Sequence, residues 1–177
     1  MAKIVDLQTY RAQQSNERVF GPWRKRFNES CDDNTKISEL SDRTLLYLAQ
    51  PGDASTLGYY EIIMGALDLG LAAGFYSLAK GDQLKVVEVH LFLADQIRFE
   101  LMRRLKWITG FSCQAYTLLE LIRNTDKLKR QSREKPLELS TSHAGYDAFQ
   151  KLTLRDKEAF VRRLLPEAID SFRNVLD

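Results

Sequence analysis

The sequence is poor in the residues that staple, break or bend a chain. Of 177 residues only 2 are cysteine, 2 histidine, 4 proline and 9 glycine. Cys31 and Cys113 lie far apart, with no cysteine or histidine at metal-ligand spacing, so neither a disulfide framework nor a zinc motif is written here. So few prolines and glycines do not suit the many turns of a β-sandwich, and no segment sustains the alternation of a half-buried strand. There is no glycine-rich phosphate loop after a strand, no nucleophile elbow, and no Ser or Cys with a placed histidine. Long apolar runs are missing as well. The nearest approach, Ile62 to Leu78, is interrupted by Asp68 and rich in small residues, which fits a buried helix better than a membrane span. The opening residues have no long apolar core of a signal peptide. The expectation is a reduced, soluble, cytoplasmic protein without a membrane segment.

What is present is the composition of one ordinary globular domain, 44% apolar and 28% charged. That is too apolar for a disordered chain, and a chain of this length buries roughly two-thirds of its unfolded surface without a structural metal. The formal net charge of +2 is no polyelectrolyte signal, but the charge is unevenly spread. Residues 36–95 carry four basic and eight acidic side chains, whereas residues 96–135 carry ten basic and four acidic.

Wherever a pattern exists, it is helical. Residues 1–35 read as a polar, irregular arm with at most a short helix, and residues 36–177 as one helical-bundle domain. Ile37, Leu40, Thr44, Leu45 and Leu48 share a face of a first helix over 36–49, closed by Pro51-Gly52-Asp53. A second helix is expected over 54–79, ending at Gly81, and a third over 83–109, ending at Gly110. A fourth is expected over 112–129, followed by a polar loop to 139 and a short helix to 151. Thr153 and Asp156 resemble a capping box for the last helix, which Pro166 should kink or divide. The fold class is all-α: a bundle of five to six helices, two of them long and central, with an N-terminal arm.

Small residues at Gly58, Gly65, Ala72 and Ala79 recur at seven-residue steps along the second helix, a track that suits close approach of another backbone. Glu61 and Asp68 are the only charges within that helix. His90 falls on an apolar face of the third helix with Val86, Val87, Ala94, Ile97 and Leu101. It is either a core histidine or, joined to Glu61 or Asp68, the centre of a ligand-binding, metal-binding or acid–base site. The bundle departs from di-iron carboxylate proteins, since Glu88-Val-His90 lacks the Glu-x-x-His spacing.

Two stretches read as partner surfaces. Phe20, Trp23 and Phe27 stand among Arg24, Lys25 and Arg26 in the arm, and could dock on a partner or on the protein's own bundle. Arg103, Lys127 and Arg130 mark a basic middle suited to an acidic protein partner, with no recognition helix or stacking motif for specific nucleic-acid binding. These patterns imply a cytoplasmic interaction or regulatory protein that self-associates, with no catalytic machinery and no cofactor evident. A ligand- or metal-binding bundle around His90 is the alternative.

Overall fold

The computed structural model describes residues 6–70 and 74–177, and the regular structure in them is helical. There are nine α-helices and two 3-10 turns among the described residues, with two isolated β-bridges and no strand. The all-α class stands, while the division into helices is finer than the expected five to six.

The N-terminal segment is the largest departure. Residues Leu7–Phe27 form a helix of 21 residues, α1, capped by Asp6 at its start and closed by Asn28 in the left-handed region at φ 53°. Its first turns are exposed all round, and only Val19, Phe20, Gly21 and Trp23 are buried. Half of the helix therefore has nothing to bury, which is why no apolar period marks it in the sequence.

Ile37–Glu39 form a 3-10 turn, and α2 (Asp42–Ala49) then starts at Ser41, whose hydroxyl accepts from the Thr44 amide. The five expected face residues of this region are buried. Helix α3 runs over Asp53–Ala66, not to 79. Asp68 ends it: at φ 61° it turns the chain left-handed, so that the Leu69 amide reaches back to the Met64 carbonyl at 2.9 Å. A left-handed aspartate is a permitted but uncommon helix stop, and the apolar run past it hid the break. Gly81 closes nothing, since α4 (Lys80–Arg104) begins before it; Lys106 at φ 61°, rather than Gly110, turns the chain at the other end.

The expected fourth helix is two. Thr117, not Ser112, is the cap, and with Glu120 it forms a capping box for α5 (Leu118–Arg123). Helix α6 (Thr125–Glu134) follows at once and occupies half of the expected polar loop. Helix α7 (Tyr146–Gln150) is short. Thr153 caps α8 (Leu154–Arg163) as its spacing predicts, accepting from the Asp156 amide. Pro166 divides the last helix: α9 (Leu165–Leu176) starts afresh with the proline in its first turn, where a missing N–H costs nothing.

The longest helix, α4 with 25 residues, is the expected third; the other long helix is α1 rather than the expected second. Helix α4 is central, touching α2, α3, α5, α6 and α9. Helix α1 lies on α3 through the small-residue track. A Cβ built on Gly65 would stand 3.0 Å from the Arg18 carbonyl oxygen and 3.1 Å from the Val19 Cα, whereas one on Gly58 meets Leu48 Cδ2 at 3.7 Å. Trp23 Nε1 donates to the Gly58 carbonyl at 2.7 Å, so the same contact seats the indole. Ala72 of the track lies outside the described residues, and Ala79 is the residue before α4.

The interior of α4 holds one ion-paired cluster. Glu100 is fully buried and accepts from Arg103 Nε and Nη2, both at 2.8 Å, and from Arg104 Nε at 3.0 Å. Arg104 also donates to the carbonyls of Ile37, Ser38 and Leu40 and to Asp42. The α4 cluster thus holds the turn and cap that precede α2.

Two outcomes check this packing. Gly65→Ala should destabilise the fold by about 1–3 kcal/mol, because its Cβ meets backbone that cannot yield, while Gly58→Ala should be neutral or stabilising by up to about 1 kcal/mol through helix propensity. Glu100→Ala should cost about 3 kcal/mol, the low end for breaking a buried pair, since Arg104 keeps Asp42 and three carbonyls. Equilibrium denaturation of the three variants against the parent protein reads both.

Candidate functional site

The residues singled out by sequence do not converge. Glu61 faces α1, where Arg26 Nη2 donates to its carboxylate at 2.6 Å and Nε at 3.2 Å. Asp68 pairs with Arg18 at 3.1 Å. His90 is half-buried between two tyrosines of α3, its ring centroid 4.7 Å from that of Tyr59 and 5.5 Å from that of Tyr60, and it makes no side-chain hydrogen bond to a described residue. Tyr59 donates instead to the Leu48 carbonyl at 2.7 Å. Burial, then the nearby Arg98 charge, lowers the His90 pKa from its ordinary 6.5.

The nucleophile candidates are likewise quiet. Burial pushes the Cys31 thiol up to about 11 and raises that of Cys113, so both stay protonated near neutrality. His143 Nδ1 accepts from the Gly145 amide at 3.0 Å. No group of three His, Cys, Asp or Glu among the described residues is arranged to hold a metal ion. A hollow beside Cys31, of about 500 Å³, is lined by Glu29, Asp32 and Glu39. Those carboxylates are used locally, accepting from Ser41 and Thr44, from the Asn34 amide and from the Lys36 amide respectively. No described helix is long and apolar enough to cross a membrane.

Phe20 and Trp23 are fully covered by the chain's own residues, and Phe27 packs edge-on between Trp23 and Tyr47. The aromatic part of the α1 motif thus builds the protein's own core. Arg103 is held by Glu100, while Lys127 and Arg130 are exposed on α6.

A second hollow, of about 540 Å³, has the make-up of a binding groove and lies between α4, α6 and α8. Its floor is aromatic: Phe92 and Phe99 come from α4, four-residue and three-residue steps apart from Gln96, and Phe111 from the following loop, its ring 6.1 Å from that of Phe99. Leu137 closes one end, and Leu91 and Leu154 stand at the rim, 60% and 68% exposed. One wall is fixed by Arg162 of α8. It binds Asp95 of α4 at 2.9 Å and Glu158 at 3.0 Å, and lies 5.8 Å from the centre of the Phe99 ring. Burial works against its charge, but the two carboxylates outweigh that and hold its pKa above the ordinary value.

The other cations of the groove are not spoken for. Lys129, Arg133 and Lys135 from α6 and its end, and Arg155 from α8, form no salt bridge with a described residue, against one unpaired carboxylate, Glu134. An apolar floor under a rim of unpaired positive charge suits an acidic chain that carries large apolar side chains. No family model, no curated protein and no solved structure matches the chain.

The basic stretch from Lys127 to Lys135 is legible in the sequence and supplies the α6 side of the groove, although the expected helix stops at 129 and α6 continues to Glu134. Arg155 and the α4 aromatics were not connected to the basic stretch. Phe92, Gln96 and Phe99 lie on the other side of α4 from the apolar face of Val86, Val87, Ala94, Ile97 and Leu101, so periodicity did not single them out.

The lowered His90 pKa has a sign that can be checked. The unfolded chain binds the proton more readily, so the stability His90 contributes is complete above pH 6.5 and is lost as pH falls through its lower folded value. Comparing the parent protein with His90→Gln by urea denaturation, the stability difference should shrink steadily from pH 7.5 to pH 5. A difference that grows on acidification would mean that imidazolium is favoured in the fold.

Proposed function

We propose that the protein is a non-catalytic interaction module that takes an acidic, apolar-anchored segment of a partner protein in the groove between α4, α6 and α8. The observation that carries this reading is the set of four unpaired cations around an aromatic floor. Shape supplies the apolar contact, and the cations select sign and speed encounter. An acidic protein partner answers this surface better than nucleic acid, because the cations flank one short groove with Glu134, Glu158 and Asp95 in it rather than tracking a phosphate backbone. Self-association is a further part of the reading, supported by Leu84 and Leu91, seven residues apart and about 60% exposed on α4. A cytoplasmic, reducing setting is supported by two free, buried thiols.

Selection of random twelve-residue peptides on the immobilised full chain tests the groove. Enriched sequences should be rich in Asp and Glu around a large apolar residue, and their affinity should fall as salt rises. Lys129→Glu, Arg133→Glu and Lys135→Glu together should weaken binding at least about tenfold, a loss of about 1.4 kcal/mol, whereas Lys127→Glu with Arg130→Glu should weaken it less. Failure to enrich any acidic sequence, or equal binding to the groove variant, refutes the reading.

A further inference from the structure

The floor of the groove holds a polar group that no described residue bonds. Gln96 is only 4% exposed, lies between Phe92 and Phe99, and makes no hydrogen bond to a described residue. A buried amide normally has partners, because leaving it unpaired costs about 1–3 kcal/mol. Among the described residues the one side-chain polar atom both sealed from solvent and unpartnered is Arg18 Nε, so the Gln96 amide still meets water, and the space it lines is the groove. A ligand seated on the aromatic floor would displace that water. It would have to replace the lost bonds or leave the amide unpaired.

The residue that answers this is tyrosine. Its ring fits a floor of Phe92, Phe99 and Phe111, where aromatic pairs favour edge and offset contacts. Its hydroxyl can donate to Gln96 Oε1 or accept from Nε2, matching both halves of the amide. An indole N–H only donates, and a phenylalanine does neither. Resting on the reading of the groove given above, we infer that the anchor of the acidic partner segment is a tyrosine whose hydroxyl bonds to Gln96, and that Gln96 makes the groove discriminate tyrosine from phenylalanine. Sites built to bond a hydroxyl reject the analogue that lacks it far more strongly than apolar pockets reject an added one.

The test uses the full chain and two synthetic twelve-residue peptides, each with one central aromatic flanked by aspartates and glutamates, identical except for Tyr or Phe. Titration calorimetry should give the Tyr peptide an affinity at least about tenfold higher. In Gln96→Leu, and in the closely isosteric Gln96→Met should the first variant fold poorly, the preference should vanish or reverse. In 15N-labelled parent protein the Gln96 side-chain amide resonances should shift further with the Tyr peptide than with the Phe peptide. Equal affinities for the two peptides in the parent protein, or a preference for tyrosine that survives both Gln96 variants, would overturn the inference while leaving the groove as a site for acidic segments. Absence of binding by either peptide up to millimolar concentration would overturn both.

Discussion

A carboxylate with no water around it must be neutralised by its neighbours, and in this protein that requirement organises the centre. Glu100 sits in α4, the helix that touches most of the others, and draws Arg103 and Arg104 inward. Arg104 then has donors to spare, and it places them on the carbonyls before α2 and on Asp42. Arginine suits this task because its planar head offers five donors in fixed directions. Removing the acid would leave two cations in part-buried places, so the cluster holds α4 and the entry to α2 in one relation. Phe92, Gln96 and Phe99 lie on the same side of α4 as Arg103, with Gln96 one turn before Glu100, so cluster and groove floor share one helix.

Two groups among the arginines and lysines differ physically. Arg18, Arg26, Arg104 and Arg162 bind carboxylates across elements and hold helices together. Lys129, Arg133, Lys135 and Arg155 stand around one hollow and form no salt bridge with a described residue. Charges of the first class do their work within the fold. The clustering of the second class over phenylalanine rings is the observation on which the proposal of an acidic segment with apolar side chains rests. Arg162 belongs to both descriptions, since its bonds to Asp95 and Glu158 build the wall on which that occupant would lie.

Apart from α1, the places where local sequence and structure diverge are helix ends. Thr153 announced its helix because its hydroxyl bonds within four residues, a wholly local act. Pro166 announced a division for the same reason. Asp68 and Lys106 gave no such notice. A left-handed turn on an aspartate or a lysine costs local energy, and it persists because the chain on either side is already packed. Helix α1 was illegible for the opposite reason: its first turns touch little, so no apolar stripe is needed to build them.

What the sequence alone determined is what local chemistry and period control: the all-α class, the apolar face from Ile37 to Leu48, the Thr153 cap, the break at Pro166, and the close approach at Gly65. Each depends on residues within one or two turns, or on the absence of a side chain. The tertiary structure alone decided which charges meet. Glu61 and Asp68 were free to join His90 in any reading of spacing, and they are taken instead by Arg26 and Arg18, residues of a helix that the sequence did not reveal. The groove likewise unites positions 92–99, 129–137 and 154–162, which no periodicity relates. Charge pairing acts through space over a few ångströms, and only the packed chain sets those distances.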